Sequence, residues 1–161
     1  MADPQPTILI DTRERIPLAF GPEYRTERAM LPVADYGLKG FSDWTRPAFI
    51  VERKSVPDLI GSLTSGRARF MREIEKLRQF RFAGIVIEGE RETVAAGEYG
   101  SRATPQSIMA SLDAVAVRAN IHVFWCGNAA GAARQIEGLV RQFVRGIEKD
   151  HKALTTAGAA A

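Results

Sequence analysis

The feature that most constrains this chain is a short apolar run, Ala48 to Val51, that ends abruptly in Glu52-Arg53-Lys54 and passes into Ser55-Val56-Pro57. The run reads as a buried strand, continuing to Lys54. Pro57 sits where helices favour a first-turn proline, with Ser55 available as the cap. The charged triplet therefore falls at the carboxyl end of a central strand. Side chains alternate along a strand, so Glu52 and Lys54 share one face and Arg53 points to the other. A carboxylate beside an ammonium at the end of an apolar strand is an arrangement that metal-assisted phosphodiester chemistry can use.

The rest of the chain places other elements around that strand. Thr7 to Ile10 is a first strand ending in Asp11-Thr12-Arg13-Glu14, and Arg15 to Pro22 reads as loop because Pro17, Gly21 and Pro22 interrupt any period. Tyr24 to Leu31 has β character, a turn then leads to a short strand carrying Asp35, and Gly40 to Pro47 is a connection. Beyond Pro57, Leu59, Ile60 and Leu63 face inward, Ser65-Gly66 breaks the helix, and Arg67 to Arg81 begins another with Phe70, Ile74 and Leu77 as its buried stripe. Gly84 to Glu88 is a buried strand and Glu90 to Arg102 a polar connection. Thr104-Pro105 opens a helix, Ile121 to Trp125 is a strand, and Asn128 caps a last helix through about Lys149. Strands alternating with helices predict an α/β fold, with helices covering a mixed central sheet. One domain over 7–150 and a flexible tail over 151–161 are expected.

Composition narrows the setting. The 161 residues are 45% hydrophobic and 25% charged, with no apolar stretch of transmembrane length. One cysteine, Cys126, excludes an intramolecular disulfide and fits a reducing cytoplasm; one Cys and two His make a structural zinc site implausible. The N-terminus lacks a signal-peptide layout, and no membrane partner is expected. The net charge of +3 is uneven: residues 1–81 hold 14 Lys/Arg against 11 Asp/Glu, and residues 82–161 hold 8 of each. The excess lies in the half that contains Glu52-Arg53-Lys54, which suits a polyanionic partner there.

In open α/β sheets, functional groups collect beyond the carboxyl ends of strands. Asp11 and Glu52 hold such positions; Asp35 and Asp58 complete the acidic candidates, with Lys54 beside Glu52. Mg²⁺ is a hard cation that takes one or two carboxylates together with substrate phosphate and water. Asp35, sixteen residues, then Glu52-x-Lys54 resembles the layout of restriction-endonuclease-like nucleases. Glu-Arg-Lys followed three residues later by Asp is more specific. The run Val51 to Leu63, with Ser65-Gly66-Arg67-Ala68-Arg69-Phe70, Ile10-Asp11-Thr12-Arg13-Glu14 and Ala34-Asp35-Tyr36, resembles the excision-repair cross-complementation (ERCC-type) nuclease domain of XPF-type structure-specific endonucleases. The resemblance covers about residues 8–149. It departs from the family at Ala34, where glycine is usual. Family members add tandem helix-hairpin-helix modules for which this length leaves no room, so a stand-alone domain is expected.

The resemblance implies a restriction-endonuclease-like three-layer α/β/α fold. It implies Asp35 and Glu52 as principal metal ligands, Asp11 in or near the same cluster, Lys54 next to the attacked phosphate, and Arg53 and Asp58 shaping the site. Arg67 and Arg69 would hold DNA or brace the catalytic strand; Arg72 and Lys76 share a helix face with Arg69. The expected activity is Mg²⁺-dependent hydrolysis of branched, flapped or forked DNA in repair or recombination, with Mn²⁺ able to substitute. A homodimer or a DNA-targeting partner is expected. The alternatives are a non-catalytic DNA-binding scaffold of the same fold, and a junction-resolvase or restriction-like nuclease.

Other residues carry plainer readings. Arg13 and Glu14 read equally well as an ion pair flanking the site, and Asp58 as a helix-dipole partner. Glu88 ends a strand and could approach the acidic cluster, with a surface position the leading reading. Trp44 and Tyr99 lie in loops, with base stacking the lesser reading. His122 is structural, Cys126 an inert thiol, and Trp125 and Phe143 core.

Overall fold

The computed structural model describes residues 5–159. Strands β1 (Thr7–Asp11), β2 (Arg25–Ala29), β3 (Tyr36–Leu38), β6 (Phe49–Ser55), β7 (Phe82–Glu88) and β8 (His122–Trp125) form one sheet in the order β2-β1-β3-β6-β7-β8. β1 and β2 are parallel, as are β6, β7 and β8, while β3 runs antiparallel to both β1 and β6. The sheet is therefore mixed. The expected connection over Gly40 to Pro47 holds a small hairpin, β4 (Ser42–Asp43) and β5 (Arg46–Pro47), whose turn is closed by the Asp43 carboxylate accepting from the Thr45 and Arg46 N–H groups at 2.8 and 3.0 Å.

Helices cover both faces. α1 (Val56–Leu63), α2 (Arg67–Leu77) and α4 (Pro105–Ala119) bury Leu59, Ile60, Leu63, Phe70, Ile74, Leu77, Ile108, Leu112 and Val115 against Ile50, Ile85 and Ile87. On the other face, α5 (Ala129–Ala159) buries Ala132, Ala133, Ile136 and Val140 against Ile8, Ile10, Tyr36, Phe49, Val51 and Val86. Odd and even residues of β6 thus feed different cores, and that parity decides where the charged triplet points. The result is the expected three-layer α/β/α arrangement.

Two expectations are corrected. The connection after Glu88 contains a short helix, α3 (Arg91–Ala95), anchored by fully buried Val94. Helix α5 does not end near Lys149 but continues to Ala159, so the segment expected as a structureless tail from 151 is helical over 151–159. No proline stops it and no glycine intervenes between Gly146 and Gly158, and Ala153, Leu154 and Ala157 sustain it, although 151–157 are exposed. Residues 160 and 161 lie outside the described residues. Among the described residues, no helix is long and apolar enough to cross a membrane.

Candidate active site

The carboxyl end of β6 opens into a cleft of about 750 Å³, lined by Glu14, Arg15, Ile16, Asp35, Glu52, Arg53, Lys54, Ser55, Asp58, Arg69 and Glu88, with residues of α1 and the α1–α2 turn. Parity places the triplet as the alternation predicts. Glu52 and Lys54 share the face of Ile50, and the Lys54 ammonium meets the Glu52 carboxylate at 2.8 Å with the two side chains 10% and 12% exposed. Lys54 also lies over the Phe70 ring, 5.4 Å from its centroid. Arg53 points to the opposite face.

Asp35 reaches Glu52 from a tight turn. Its backbone is fixed on both sides: its N–H donates to the Val51 carbonyl at 3.2 Å and its carbonyl accepts from the Asp11 N–H at 2.8 Å. Its carboxylate accepts from the Arg53 N–H at 2.8 Å. The turn is made by Ala34 at φ +64°, a left-handed conformation in which glycine costs less. Such a φ accounts for a preference for glycine at this position, and here an alanine adopts it.

Burial and mutual repulsion dominate the electrostatics of this pair. Burial, and then the neighbouring Glu52 charge, push Asp35 up to about 7. Glu52 is also raised, by burial that outweighs the pull of Lys54. For Lys54 burial acts downward, but Glu52 outweighs it and the ammonium is held above its ordinary range. Two carboxylates with no soft donor beside them suit a hard divalent cation whose shell water and phosphate complete. Among the described residues no three His, Cys, Asp or Glu side chains come together as a ready-made metal group. The donor set therefore fits a two-carboxylate site rather than a protein cage.

Asp11, expected in or near that cluster, does not line the cleft. Its carboxylate is 1% exposed and already accepts from Arg13 Nε at 2.6 Å, Arg13 Nη2 at 3.0 Å, and the Arg13 and Leu31 N–H groups, each at 2.8 Å. Burial works against its charge, but the Arg13 side chain and these backbone donors outweigh that and lower its pKa. Asp11 knots the end of β1 to the chain after β2. Arg13 and Glu14 are not an ion pair with each other: Arg13 binds Asp11, and Glu14 binds Arg53 at 3.3 Å.

Arg53 is the hub of the opposite face. Its Nε meets Glu88, and its Nη1 reaches the Glu14 carboxylate and, at 2.6 Å, the Ile16 carbonyl. Tyr36 joins through its hydroxyl, which lies 3.2 Å from Glu14 and accepts from the Leu18 N–H at 2.9 Å. Burial pushes the Tyr36 phenol up to about 12. Glu88, expected at the surface, is corrected to a cleft residue only 17% exposed. Its position at the end of β7, parallel to β6, was the available signal, since strands in parallel bring their carboxyl ends together.

Asp58 stands at the start of α1. It lines the cleft and forms a cap with Ser55, whose Oγ bonds the Asp58 carboxylate at 2.7 Å and its N–H at 3.2 Å. The basic residues divide. Arg69 lines the cleft, 78% exposed, with Glu73 at 3.7 Å, and Arg72 and Lys76 are exposed on the same helix. Arg67, expected to hold DNA or brace the catalytic strand, does not line the cleft; it donates to Ser111 on α4 at 3.0 Å and so braces two helices. Neither loop aromatic reaches the cleft: Trp44 packs on Phe80, and Tyr99 donates to the Ala103 carbonyl at 2.7 Å. Trp125 and Phe143, expected in the core, are partly buried against its two halves.

A mixed sheet between helical layers, with an acidic pair and a lysine at the end of a central strand, defines a restriction-endonuclease-like domain. The chain matches the ERCC4 domain over residues 10–139 and belongs to that family. Among solved structures it is similar to XPF from Aeropyrum pernix in complex with DNA, at 25% identity and a TM-score of 0.66 over 88% of this chain. It is also similar to XPF from Aeropyrum pernix alone, at 26% identity and a TM-score of 0.67 over 85% of this chain. The chain spans 66% and 61% of those two proteins' lengths. No curated protein matches it.

Proposed function

We propose that this protein is a divalent-metal-dependent endonuclease that hydrolyses phosphodiester bonds in branched, flapped or forked DNA. The observation that carries the reading is the Asp35–Glu52 carboxyl pair at the floor of an open cleft, with Lys54 held 2.8 Å from Glu52. The similarity to a protein solved in complex with DNA supports the substrate class. Asp35 and Glu52 would hold the cation, Mg²⁺ with Mn²⁺ able to substitute. When bound, such an ion supplies Lewis acidity and makes water a competent nucleophile near neutral pH.

The chain's own groups do the rest. An ammonium has three donors, and Glu52 engages Lys54 with one, which leaves donors for a phosphate oxygen or the attacking water. With the Glu52 charge beside it, Lys54 is held as an ammonium in the metal-free protein and offers charge and hydrogen-bond donors. The Arg53 N–H orients Asp35, and the Arg53 side chain fixes the cleft wall. Arg69, Arg72 and Lys76 present charge to the sugar–phosphate backbone, a contact that positions DNA without reading sequence. A second copy or a DNA-targeting partner would add grip that a net charge of +3 does not supply alone.

One panel tests this reading. Labelled single strand, duplex, 3′ flap, fork and four-way junction are incubated with Mg²⁺, Mn²⁺ or EDTA, beside Glu52→Gln and Lys54→Ala. Metal-dependent cutting of the branched substrates, lost in both variants while DNA binding persists, is the expected result. Cutting that survives either substitution would place the chemistry elsewhere. Binding without cutting of any substrate would favour a non-catalytic DNA-binding subunit.

A further inference from the structure

A different side of α2 from the one at the cleft meets α4 across a separate recess of about 210 Å³. Arg69 lines the cleft; Arg67, two residues earlier and so about 200° around the helix, lines the recess. The floor of the recess is the core itself, since Leu63, Ile74 and Val115 line it and are only 6%, 1% and 4% exposed. It stays open because α4 turns small side chains, Ser111 and Ala114, towards α2. Arg67 spans the gap with the one donor it gives to Ser111 at 3.0 Å. Met71, partly exposed, forms a wall whose unbranched side chain can adjust to a guest.

The charge around this recess is one-sided. Arg67, Arg78 and Arg118, all exposed, line it against the single carboxylate of Glu75, which lies 3.4 Å from Arg78. Arg118 also suits the last turn of α4, where a cation complements the helix dipole. That local benefit does not account for a reachable apolar floor in the midst of three arginines.

Size and charge together select the occupant. Ligand and cofactor pockets run from about 300 Å³ upward, so this recess admits one large apolar side chain, not a whole cofactor. A sugar–phosphate backbone would meet the arginines but has nothing to place on an apolar floor. A second copy is a poor match. Among the described residues, each large apolar side chain that the protein exposes has an arginine or lysine within two positions, as Ile16 has Arg15, Val117 has Arg118 and Leu154 has Lys152. Such a segment would bring like charge to like. We propose that the α2–α4 recess docks a short acidic segment of a different protein, with one leucine- or phenylalanine-sized side chain on Leu63, Ile74 and Val115 and its carboxylates on Arg67, Arg78 and Arg118. The α1–α2 turn borders both sites: Ser65 and Gly66 line the cleft, and Leu63 and Arg67 line the recess. A docked partner therefore stands next to whatever the cleft holds. The inference stands on α2 and α4 and does not rest on the nuclease reading.

The probes are synthetic peptides: Asp-Glu-Phe-Glu-Asp, the same peptide with alanine at its centre, and Lys-Lys-Phe-Lys-Lys. Binding is read from amide shifts of the isotope-labelled full chain. At about 1 mM, the acidic phenylalanine peptide should move the amides of Met71, Ile74, Ala114 and Val115 and leave those of Asp35 and Glu52 in place. Alanine at the centre should weaken binding about tenfold or more. Arg78→Glu with Arg118→Glu should weaken it about five- to tenfold, and about 0.5 M salt should weaken the parent's binding too. Ala114→Leu, which fills the recess and keeps its charges, should block the peptide while the rest of the spectrum is retained. No movement of the recess amides at that concentration, or equal binding of the lysine-flanked peptide, overturns the proposal. Movement of the same amides by forked DNA but not by the acidic peptide makes the recess a DNA contact and overturns it. Self-association that Arg118→Glu abolishes makes it a contact between copies and overturns it as well. Loss of all cleavage activity leaves it standing.

Discussion

At the scale of single residues, the acidic pair sets how metal-free protein responds to pH. Asp35 stands at about 7 when folded against an ordinary 3.8, so the folded state holds its proton more tightly than the unfolded chain does. A raised carboxyl contributes stability that is present below the unfolded pKa and lost as pH rises through the folded one. At about 1.4 kcal/mol per unit, the loss between pH 4 and pH 8 is on the order of 4 kcal/mol. Urea unfolding in EDTA should therefore show a fold weaker at pH 8 than at pH 5, and Asp35→Asn should reduce that slope, leaving the share that the raised Glu52 contributes; an identical slope in the variant would refute the assignment. Asp11 has the opposite sign, since its lowered pKa is felt only as pH falls into the carboxylate range, outside this window. The contrast shows what was legible in the sequence. Asp35, Glu52 and Lys54 could be placed together because alternation and the motif spacing specify them. Which carboxylate faces the cleft and which is consumed by a neighbour could not, because Arg13 and the Leu31 N–H reach Asp11 only through the fold. The pairing of Glu88 with Arg53 was hidden for the same reason, since the two are thirty-five residues apart in sequence.

At the scale of elements, local rules account for what the sequence reveals and tertiary pairing for what it conceals. The start of α1 was readable because Ser55, Pro57 and Asp58 form a capping signal, and the Ser55 Oγ does accept from the Asp58 N–H. Ser55→Ala should cost about 1 kcal/mol in thermal or urea unfolding, the usual worth of an N-cap. Because the same two side chains border the cleft, a larger effect on cleavage than on stability would mark Asp58 as a cleft wall as well as a cap partner. Strand β3 was harder to bound, since three residues carry no period, and pairing with β1 and β6 is what defines it. The overlong α5 teaches the converse. Burial stops near Val144, but no proline interrupts Lys152 to Ala159 and Gly158 stands one residue from the helix end, so local preference carries the helix onward. Ending the chain at Asp150 should then change unfolding free energy by no more than about 0.5 kcal/mol, as exposed segments without tertiary contacts do. A large loss would mean that the exposed last turns meet another surface in solution.

At the scale of the whole molecule, the cleft joins three separate parts of the sheet: the β1–β2 loop through Glu14 and Ile16, the turn before β3 through Asp35, and the ends of β6 and β7 through Glu52 to Ser55 and Glu88. A ligand that satisfies the carboxyl pair therefore stabilises contacts that hold the sheet's strands in register, and its effect is felt as global stability. A cation that binds only the folded state adds RT ln(1 + [M]/Kd), about 2.7 kcal/mol at a hundred times Kd. For a domain of this length that is a rise of roughly 5–10 °C in Tm. The rise has a pH signature, because the cation competes with the proton that Asp35 and Glu52 retain when metal-free. Scanning calorimetry with Mn²⁺ or Mg²⁺ should show the full shift at pH 8 and a much smaller one at pH 5.5. Ca²⁺, also an oxygen-seeking cation, should shift Tm as well, which separates occupancy of the site from turnover. Glu52→Gln should abolish the shift at both pH values, whereas Asp11→Asn, acting through Arg13 and Leu31 instead of the cleft, should lower the starting Tm yet keep the shift. A cation-induced rise that survives Glu52→Gln would place the ion outside the Asp35–Glu52 pair, and the nuclease chemistry with it.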